Sequence, residues 1–331
     1  MPTEPLLDLI REFSRRRVLV VGDLVADHYI YGQTERVSRE APVLVVRYEN
    51  SEVQPGGAAN AAANVRSLGG KVTAVGVLGR DEMGRRLEER CRTLGVGLKA
   101  VRGPQTATET KTRILAGGIN TTRQQMLRLD SSARPLSAED RRALRSRVVE
   151  EAKRCDAILV SDYGAGVLCD ELRTLLRKLA ADGMTVCADS RYDLLKLKSL
   201  TVCKPNEPEL QALTGLPVSS KAELVRAGQA ALKLLRCKAL LVTRGRNGMT
   251  LFRPKGEIDW IPVHGAQEAV DVTGAGDTVV AALTLGLAAG GSLLDAVQLA
   301  NAAGARVVQK QGTATVSREE LEQELLEGEA R

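Results

Sequence analysis

Runs of consecutive apolar residues punctuate the chain at Arg17-Val18-Leu19-Val20-Val21-Gly22-Asp23, Lys71 to Gly79, Ala157-Ile158-Leu159-Val160-Ser161-Asp162, Thr185-Val186-Cys187-Ala188-Asp189 and Ala239-Leu240-Leu241-Val242-Thr243. Because these runs lack polar alternation, they predict strands covered on both faces. Helical patterns separate them: from Asp81 through Leu94, and over 137–154, 169–182, 207–214, 221–235 and 292–309. A strand over 201–204 and a hairpin across 249–261 complete the series. Repeated β–α units predict a mainly parallel sheet between two helical layers, an α/β three-layer sandwich. Three other extended stretches, Pro42 to Glu49, Thr108 to Leu115 and Gln125 to Asp130, are more polar. The segments around 33–53 and 104–129 therefore read as a small sheet projecting from the core, within a single domain spanning 1–331. No fixed-period repeat interrupts the pattern, and no disordered linker is expected beyond the termini.

Composition narrows the classes. With 331 residues, 44% of them hydrophobic and 27% charged, the chain reads as a soluble globular protein able to bury a large core. Its net charge of +6 is spread without long basic runs, and aromatics are only 2%, so neither an electrostatic track nor stacking platforms for nucleic acid are expected. No apolar stretch approaches the ~20 residues of a membrane span. The acidic, Pro-containing N-terminus lacks a signal-peptide pattern, so a cytoplasmic protein is expected. Six scattered cysteines form no C-x-x-C pair, and His28 and His264 are too few for a histidine-built zinc site. Hydrolase and metalloprotease readings fall away.

Candidate chemistry gathers where runs end. Val270-Asp271-Val272-Thr273-Gly274-Ala275-Gly276-Asp277 leads straight into the apolar helix-like stretch Thr278 to Leu283. Backbone N–H groups of such a small-residue turn, with the positive pole of the helix behind them, hold anions. A carboxylate at Asp277 would lie where a base takes a proton from a hydroxyl attacking a phosphoryl group. The plainer reading is a chain reversal with Asp277 in a capping role. A second small-residue cluster, Pro55 to Asn64, also precedes a helical segment, which suggests a second ligand surface. Asp23, Asp162, Asp189 and the Thr243-to-Gly248 set end strands, and in a parallel sheet such ends share one crevice. Asn206-Glu207-Pro208-Glu209 opens a helix; it serves as a cap, as a hold on the water shell of Mg²⁺, or as both. A dinucleotide fold would need G-x-G-x-x-G after the first strand, and only Gly22 is there.

These motifs resemble the ribokinase-like (PfkB) carbohydrate kinases. Gly56-Gly57-Ala58-Ala59-Asn60 through Leu68-Gly69 is similar to the family's N-terminal signature, and Asp271 to Asp277 to its C-terminal one, with Val272 a mild departure. The resemblance, which spans roughly 16 to 325, implies a ribokinase-like fold with a β-sheet lid. It implies Asp277 as catalytic base, with Gly274, Ala275 and Gly276 as the anion hole. Asn206 and Glu209 would organise Mg²⁺ through water, and Thr243, Gly245 and Gly248 would border the phosphates of ATP. Asp23, Gly56, Gly57, Asn60 and Asp162 would face the sugar, and Lys111, Arg113 and Arg128 are cations available for a substrate phosphate. A K⁺ ion near the 271–277 loop and a homodimer through the lid are further implications. Within the family, Ser38 to Val43, Ser161-Asp162-Tyr163-Gly164 and Gly312 to Ser317 resemble the branch that phosphorylates the anomeric hydroxyl of a heptose 7-phosphate. Two departures stand out: Ala165 replaces a Lys of that branch, and Asp189-Ser190-Arg191-Tyr192 replaces Asp-Pro-Lys-Gly. Many members of the branch carry a fused nucleotidyltransferase whose phosphate loop needs histidines, so a kinase alone is expected. The alternatives are a kinase for another sugar or nucleoside, and a non-catalytic sugar-binding protein on the same fold.

Overall fold

The computed structural model describes residues 3–118, 122–132, 135–265 and 269–329. Residues 119–121 of the expected 104–129 lid segment lie outside them. Along the chain run α1 (Thr3–Glu12), β1 (Arg17–Gly22), β2 (Leu24–Val37), β3 (Leu44–Gly57), α2 (Ala58–Ser67), β4 (Lys71–Val75), α3 (Glu82–Thr93), β5 (Gly97–Leu98), β6 (Glu109–Gly117) and β7 (Gln124–Ser131). The second half adds α4 (Ala138–Ala152), β8 (Ala157–Asp162), α5 (Asp170–Ala181), β9 (Thr185–Ser190), β10 (Val202–Cys203), α6 (Glu207–Thr214), α7 (Lys221–Leu235), β11 (Ala239–Thr243), β12 (Met249–Phe252), β13 (Ile258–Ile261), α8 (Ala275–Ala288), α9 (Leu293–Val307) and α10 (Arg318–Glu329).

The large sheet has the order β13-β12-β11-β10-β9-β8-β1-β4-β5. All its pairings are parallel except those of β12 with β11 and β13. The apolar runs explain why it lies in the middle. Val18 and Val20 of β1 join one buried cluster with α2, α8 and α9, whereas Leu19 and Val21 join a second cluster with α4, α5 and α7. Leu159 and Cys187 likewise face the first cluster, while Ile158, Val160, Val186 and Ala188 face the second. Each strand thus supplies both cores by period-2 alternation, which is why these runs are apolar on both faces with polar residues mainly at their ends. Capping fixes the helix starts: Ser137, Asn206, Ser220 and Ser292 each form a capping box with an acid three residues on.

The second sheet has the order β3-β2-β6-β7 and projects from the C-terminal ends of the large sheet. It starts at Leu24, immediately after Asp23, nine residues before the position 33 read from the pattern. Leu24, Val25 and Ala26 are buried, so this strand opens with an apolar run that lacks the polarity by which the projecting sheet was read. The termini also differ from expectation, since α1 and α10 pack on the first core through Leu6, Ile10, Leu321 and Leu325.

Candidate active site

Chain direction decides the site. Because β1, β8, β9, β10 and β11 run parallel, Asp23, Asp162, Tyr163, Asp189, Lys204 and Thr243 all emerge at one edge of the sheet, where open α/β folds bind ligands. Helix α8 points its N-terminus at that edge. Gly274 caps it with a φ of 78°, and a side chain at this position would press on Asn60, whose Nδ2 would lie 3.0 Å from the added carbon.

Asp277 sits in the first turn of α8 and is buried. Its Oδ2 accepts from Asn60 Nδ2 at 2.7 Å, and the Tyr163 hydroxyl lies 3.2 Å from each of its oxygens. Burial pushes the carboxyl up from 3.8 to about 7, with the nearby Asp189 adding to the rise and Asn60, Lys204 and Tyr163 opposing it. A general base works best with such a value near the operating pH. The charge on Asp277, with burial, holds the Tyr163 phenol well above its ordinary value, so Tyr163 is the donor of the pair.

Beside Asp277 the buried Lys204 Nζ pairs with Oδ2 of the partly buried Asp189 at 2.9 Å. Burial opposes the Lys204 charge, but Asp189, Glu209 and Asp277 outweigh it and raise the ammonium above its ordinary value. A carbon added to Gly276 would stand 3.4 Å from Asp189 Oδ2 and 3.5 Å from Lys204 Nζ, so the turn and the pair lie in van der Waals reach of each other. In the turn itself the Ala275 N–H is taken by the Val272 carbonyl at 3.2 Å. Among the described residues, the N–H groups of Gly274 and Gly276 have no protein acceptor. Of the three expected anion-hole donors, two are therefore open and one is engaged within the turn.

Asn206 and Glu209 bond each other: Glu209 N donates to Asn206 Oδ1 at 2.8 Å, and Asn206 N donates to Glu209 Oε2 at 2.9 Å. This capping box leaves Glu209 Oε1 and the Asn206 amide facing a 530 Å³ cavity lined also by Thr243, Gly245, Gly248, Lys204 and Gly276. Burial and Asp189 raise the Glu209 carboxyl above its ordinary value. No cluster of three or more His, Cys, Asp or Glu side chains suited to a metal occurs among the described residues. One available carboxylate beside open amides matches Mg²⁺, which keeps most of its waters and relies on phosphate oxygens. Gly248, with φ of 76°, admits no side chain, since an added carbon would meet the Ile261 carbonyl oxygen at 2.1 Å.

The sugar-side residues divide. Asn60 reaches Asp277, and the Lys111 ammonium lies 4.9 Å from the centre of the Tyr163 ring, which brings lid and base together. Asp23 does not face the cleft: its carboxylate accepts the backbone N–H groups of Tyr163, Ala165 and Val167 at 2.7, 3.1 and 3.2 Å. Asp162 is likewise engaged, by Ser190 Oγ at 2.7 Å and Gly164 N at 3.1 Å. Arg128 is held by both oxygens of Asp130. Gly56 and Gly57 are contact positions: a carbon on Gly56 would lie 2.6 Å from Asp27 Oδ2, and one on Gly57 would lie 2.5 Å from the Asp23 carbonyl oxygen.

Asp27 is a residue the sequence reading passed over. It is buried on β2, bonds Arg113 at 2.6 Å, and stands in register with Gln54 and Lys111 across the lid. The available signal was an acid closing the apolar run Leu24-Val25-Ala26. Tyr163 and Lys204 were also without an assigned role. Their partners lie 114 and 15 residues away, which no local pattern reports. A second cavity of 1230 Å³ extends under the lid, lined by Asn60, Asp271 and Thr273 from the body and by Tyr29, Arg90, Arg113 and Arg123 around the lid.

A buried carboxyl near neutrality, a helix N-terminus with open amides and a buried lysine, gathered at one sheet edge, suit a phosphotransferase that acts on a hydroxyl. The chain belongs to the pfkB family of carbohydrate kinases, whose profile matches residues 15–320. It is therefore a sugar kinase on an ATP-dependent kinase fold. Among curated proteins it is similar to the bifunctional protein HldE of Vibrio cholerae, 40% identical over 314 residues, covering 95% of this chain and 64% of that protein. The HldE of Desulfatibacillum aliphaticivorans is 39% identical over 317 residues, again covering 95% and 64%. The chain thus spans just under two thirds of these relatives. Among solved structures, Escherichia coli phosphofructokinase-2 in complex with potassium superimposes with a TM-score of 0.79 at 20% identity, covering 95% of this chain and 99% of that one. Arabidopsis thaliana ribokinase complexed with ribose and ATP gives 0.72 at 24%, covering 94% and 98%. At these identities the likeness speaks for the fold alone. No helix among the described residues is long and apolar enough to cross a membrane.

Proposed function

We propose that this protein transfers the γ-phosphate of ATP to the anomeric hydroxyl of a heptose 7-phosphate. The observation that carries the reading is the pairing of two cavities across the 271–277 turn. The smaller, beside Glu209 and Lys204, suits a nucleoside triphosphate, and the larger carries Arg90, Arg113 and Arg123 beside Glu49, Glu52 and Asp271. Arg90 donates Nε only to the neutral Gln54 at 3.1 Å and has no carboxylate within ion-pair distance among the described residues. Arg90 therefore supplies the open guanidinium fork that suits a phosphate on the acceptor, whereas Arg113 and Arg123 on the same rim are paired with Asp27 and Glu49. The HldE relatives, similar along nearly the whole of this chain, favour a heptose over other sugar phosphates.

In this mechanism Asp277 accepts the proton of the acceptor hydroxyl, Asn60 orients the carboxylate, and the Gly274 and Gly276 amides with Lys204 balance charge on the moving phosphoryl group. Asn206 and Glu209 would hold Mg²⁺ through water; the ion supplies charge neutralisation on the ATP phosphates. The lid, closing over Lys111 and Tyr163, keeps water from the transferred group.

Leu127 and Leu129 of β7 stand 56% and 63% exposed on the lid face opposite Arg128. This apolar face supports a homodimer through the lid. The acceptor preference is tested by ADP release with heptose 7-phosphate, heptose, fructose 6-phosphate and ribose. Removing the acceptor phosphate should lower kcat/KM by on the order of 10² or more. Equal rates with heptose and its 7-phosphate would refute the phosphate subsite.

A further inference from the structure

The carboxylate of Asp23 is among the most tightly held groups in the molecule, yet no step assigned above uses it. Its side chain lies directly after β1, its own backbone N–H donates to the Ser161 carbonyl at 3.1 Å, and its carbonyl accepts from Ala58 N at 2.9 Å. Its two oxygens take three amides of a loop about 140 residues away: Oδ2 those of Tyr163 and Ala165, Oδ1 that of Val167. Residue exposure is 1%, so no substrate reaches it. A carboxylate accepting several backbone N–H groups fixes a loop as strongly as any short-range contact available. The first residue of that loop is Tyr163, whose phenol touches both oxygens of Asp277. Gly57 adds to the constraint, because a side chain there would approach the Tyr163 ring at 3.4 Å.

We infer that Asp23 is a positioning residue, whose grip on the 163–167 loop seats the Tyr163 phenol on the base Asp277. Asp23 acts on the base only through Tyr163. In the sequence reading it was a contact for sugar hydroxyls; the three amides give it this other occupation. The inference builds on Asp277 as base but can be read out without turnover. Tyr163 is the donor, so its phenol reports the charge of Asp277, which Asp189, Lys204 and Asn60 also face.

The test uses the full chain labelled with ¹³C at tyrosine Cζ, with Tyr163→Phe assigning one resonance among the five tyrosines. In the parent the Tyr163 signal should titrate with Asp277, near pH 7. In Asp23→Asn that titration should vanish from the Tyr163 signal. Its kcat should fall about tenfold with the KM for ATP unchanged, the size expected for loosening one hydrogen bond to a charged group. The acid limb of the pH–rate profile should move upward, because the phenol lowers the Asp277 pKa. Since Asp23 acts through Tyr163, the double variant Asp23→Asn/Tyr163→Phe should be within about twofold of Tyr163→Phe alone. Multiplied losses in the double variant, or an unchanged Tyr163 titration in Asp23→Asn, would overturn the inference. If Asp23→Asn does not fold, hydrogen exchange in the parent decides: the Tyr163, Ala165 and Val167 amides should be protected, and exchange at open-loop rates would refute the clamp. Full activity of Asp277→Asn would sink the base assignment while leaving the resonance coupling to be judged by itself.

Discussion

Replacing Asp277 by Asn removes the proposed base and one buried negative charge at once, and the two effects have opposite signs. Folding lifts the carboxyl from 3.8 to about 7, chiefly by burial. A raised folded pKa means that the neutral form is favoured in the native state. Stability from that preference is fully present below 3.8 and is lost as pH rises through about 7. Above pH 7 the ionised parent therefore carries a penalty of about 4 kcal/mol relative to a neutral isostere. At pH 5, where only the unfolded carboxyl is ionised, the gap narrows to about 2 kcal/mol. Asn at 277 retains an oxygen that can accept from Asn60, so packing should survive. The expected outcome is a protein more stable than the parent at pH 8, by an amount that shrinks at pH 5, with kcat lower by on the order of 10²–10⁴. Urea unfolding at the two pH values and ADP release at pH 8 measure both halves. A variant less stable than the parent at pH 8, or one whose stability gap is the same at both pH values, would refute the electrostatic reasoning. Parental turnover would refute the catalytic role.

Lys204→Met leaves the partly exposed Asp189 carboxylate without its partner and should cost about 1–3 kcal/mol in urea unfolding. Because Lys204 also lowers the Asp277 pKa, the acid limb of its pH–rate profile should move upward, and an unmoved limb would separate Lys204 from the base. Leu129→Lys, on the exposed lid face, should shift sedimentation from dimer towards monomer; a parent that already sediments as a monomer would remove the lid interface.

The β1, β8, β9 and β11 runs were legible because a strand covered on both faces is apolar along most of its length, and composition alone reports that. The 271–277 turn was legible because anion-binding amides require small residues in sequence before a helix. Strand β2 was not, since its buried start Leu24-Val25-Ala26 shows none of the polarity that marked the projecting sheet, and only its pairing with β3 and β6 places it there. The flanking helices α1 and α10 were missed because their apolar stripes acquire meaning only against a core built by other segments.

By itself, then, the sequence determined the layered α/β architecture, the small-residue turn at 271–277 and the acid that closes it, since each depends on residues adjacent in the chain. Only the tertiary structure decided which acids face ligands. Asp23 and Asp162 end strands just as Asp189 does, yet Asp23 turns wholly to backbone amides, Asp162 bonds a serine and a backbone amide at the wall of the smaller cavity, and Asp189 pairs with Lys204 beside Asp277. The physical reason is that a carboxylate's role follows from the donors that surround it once buried, and those donors come from segments far apart in sequence.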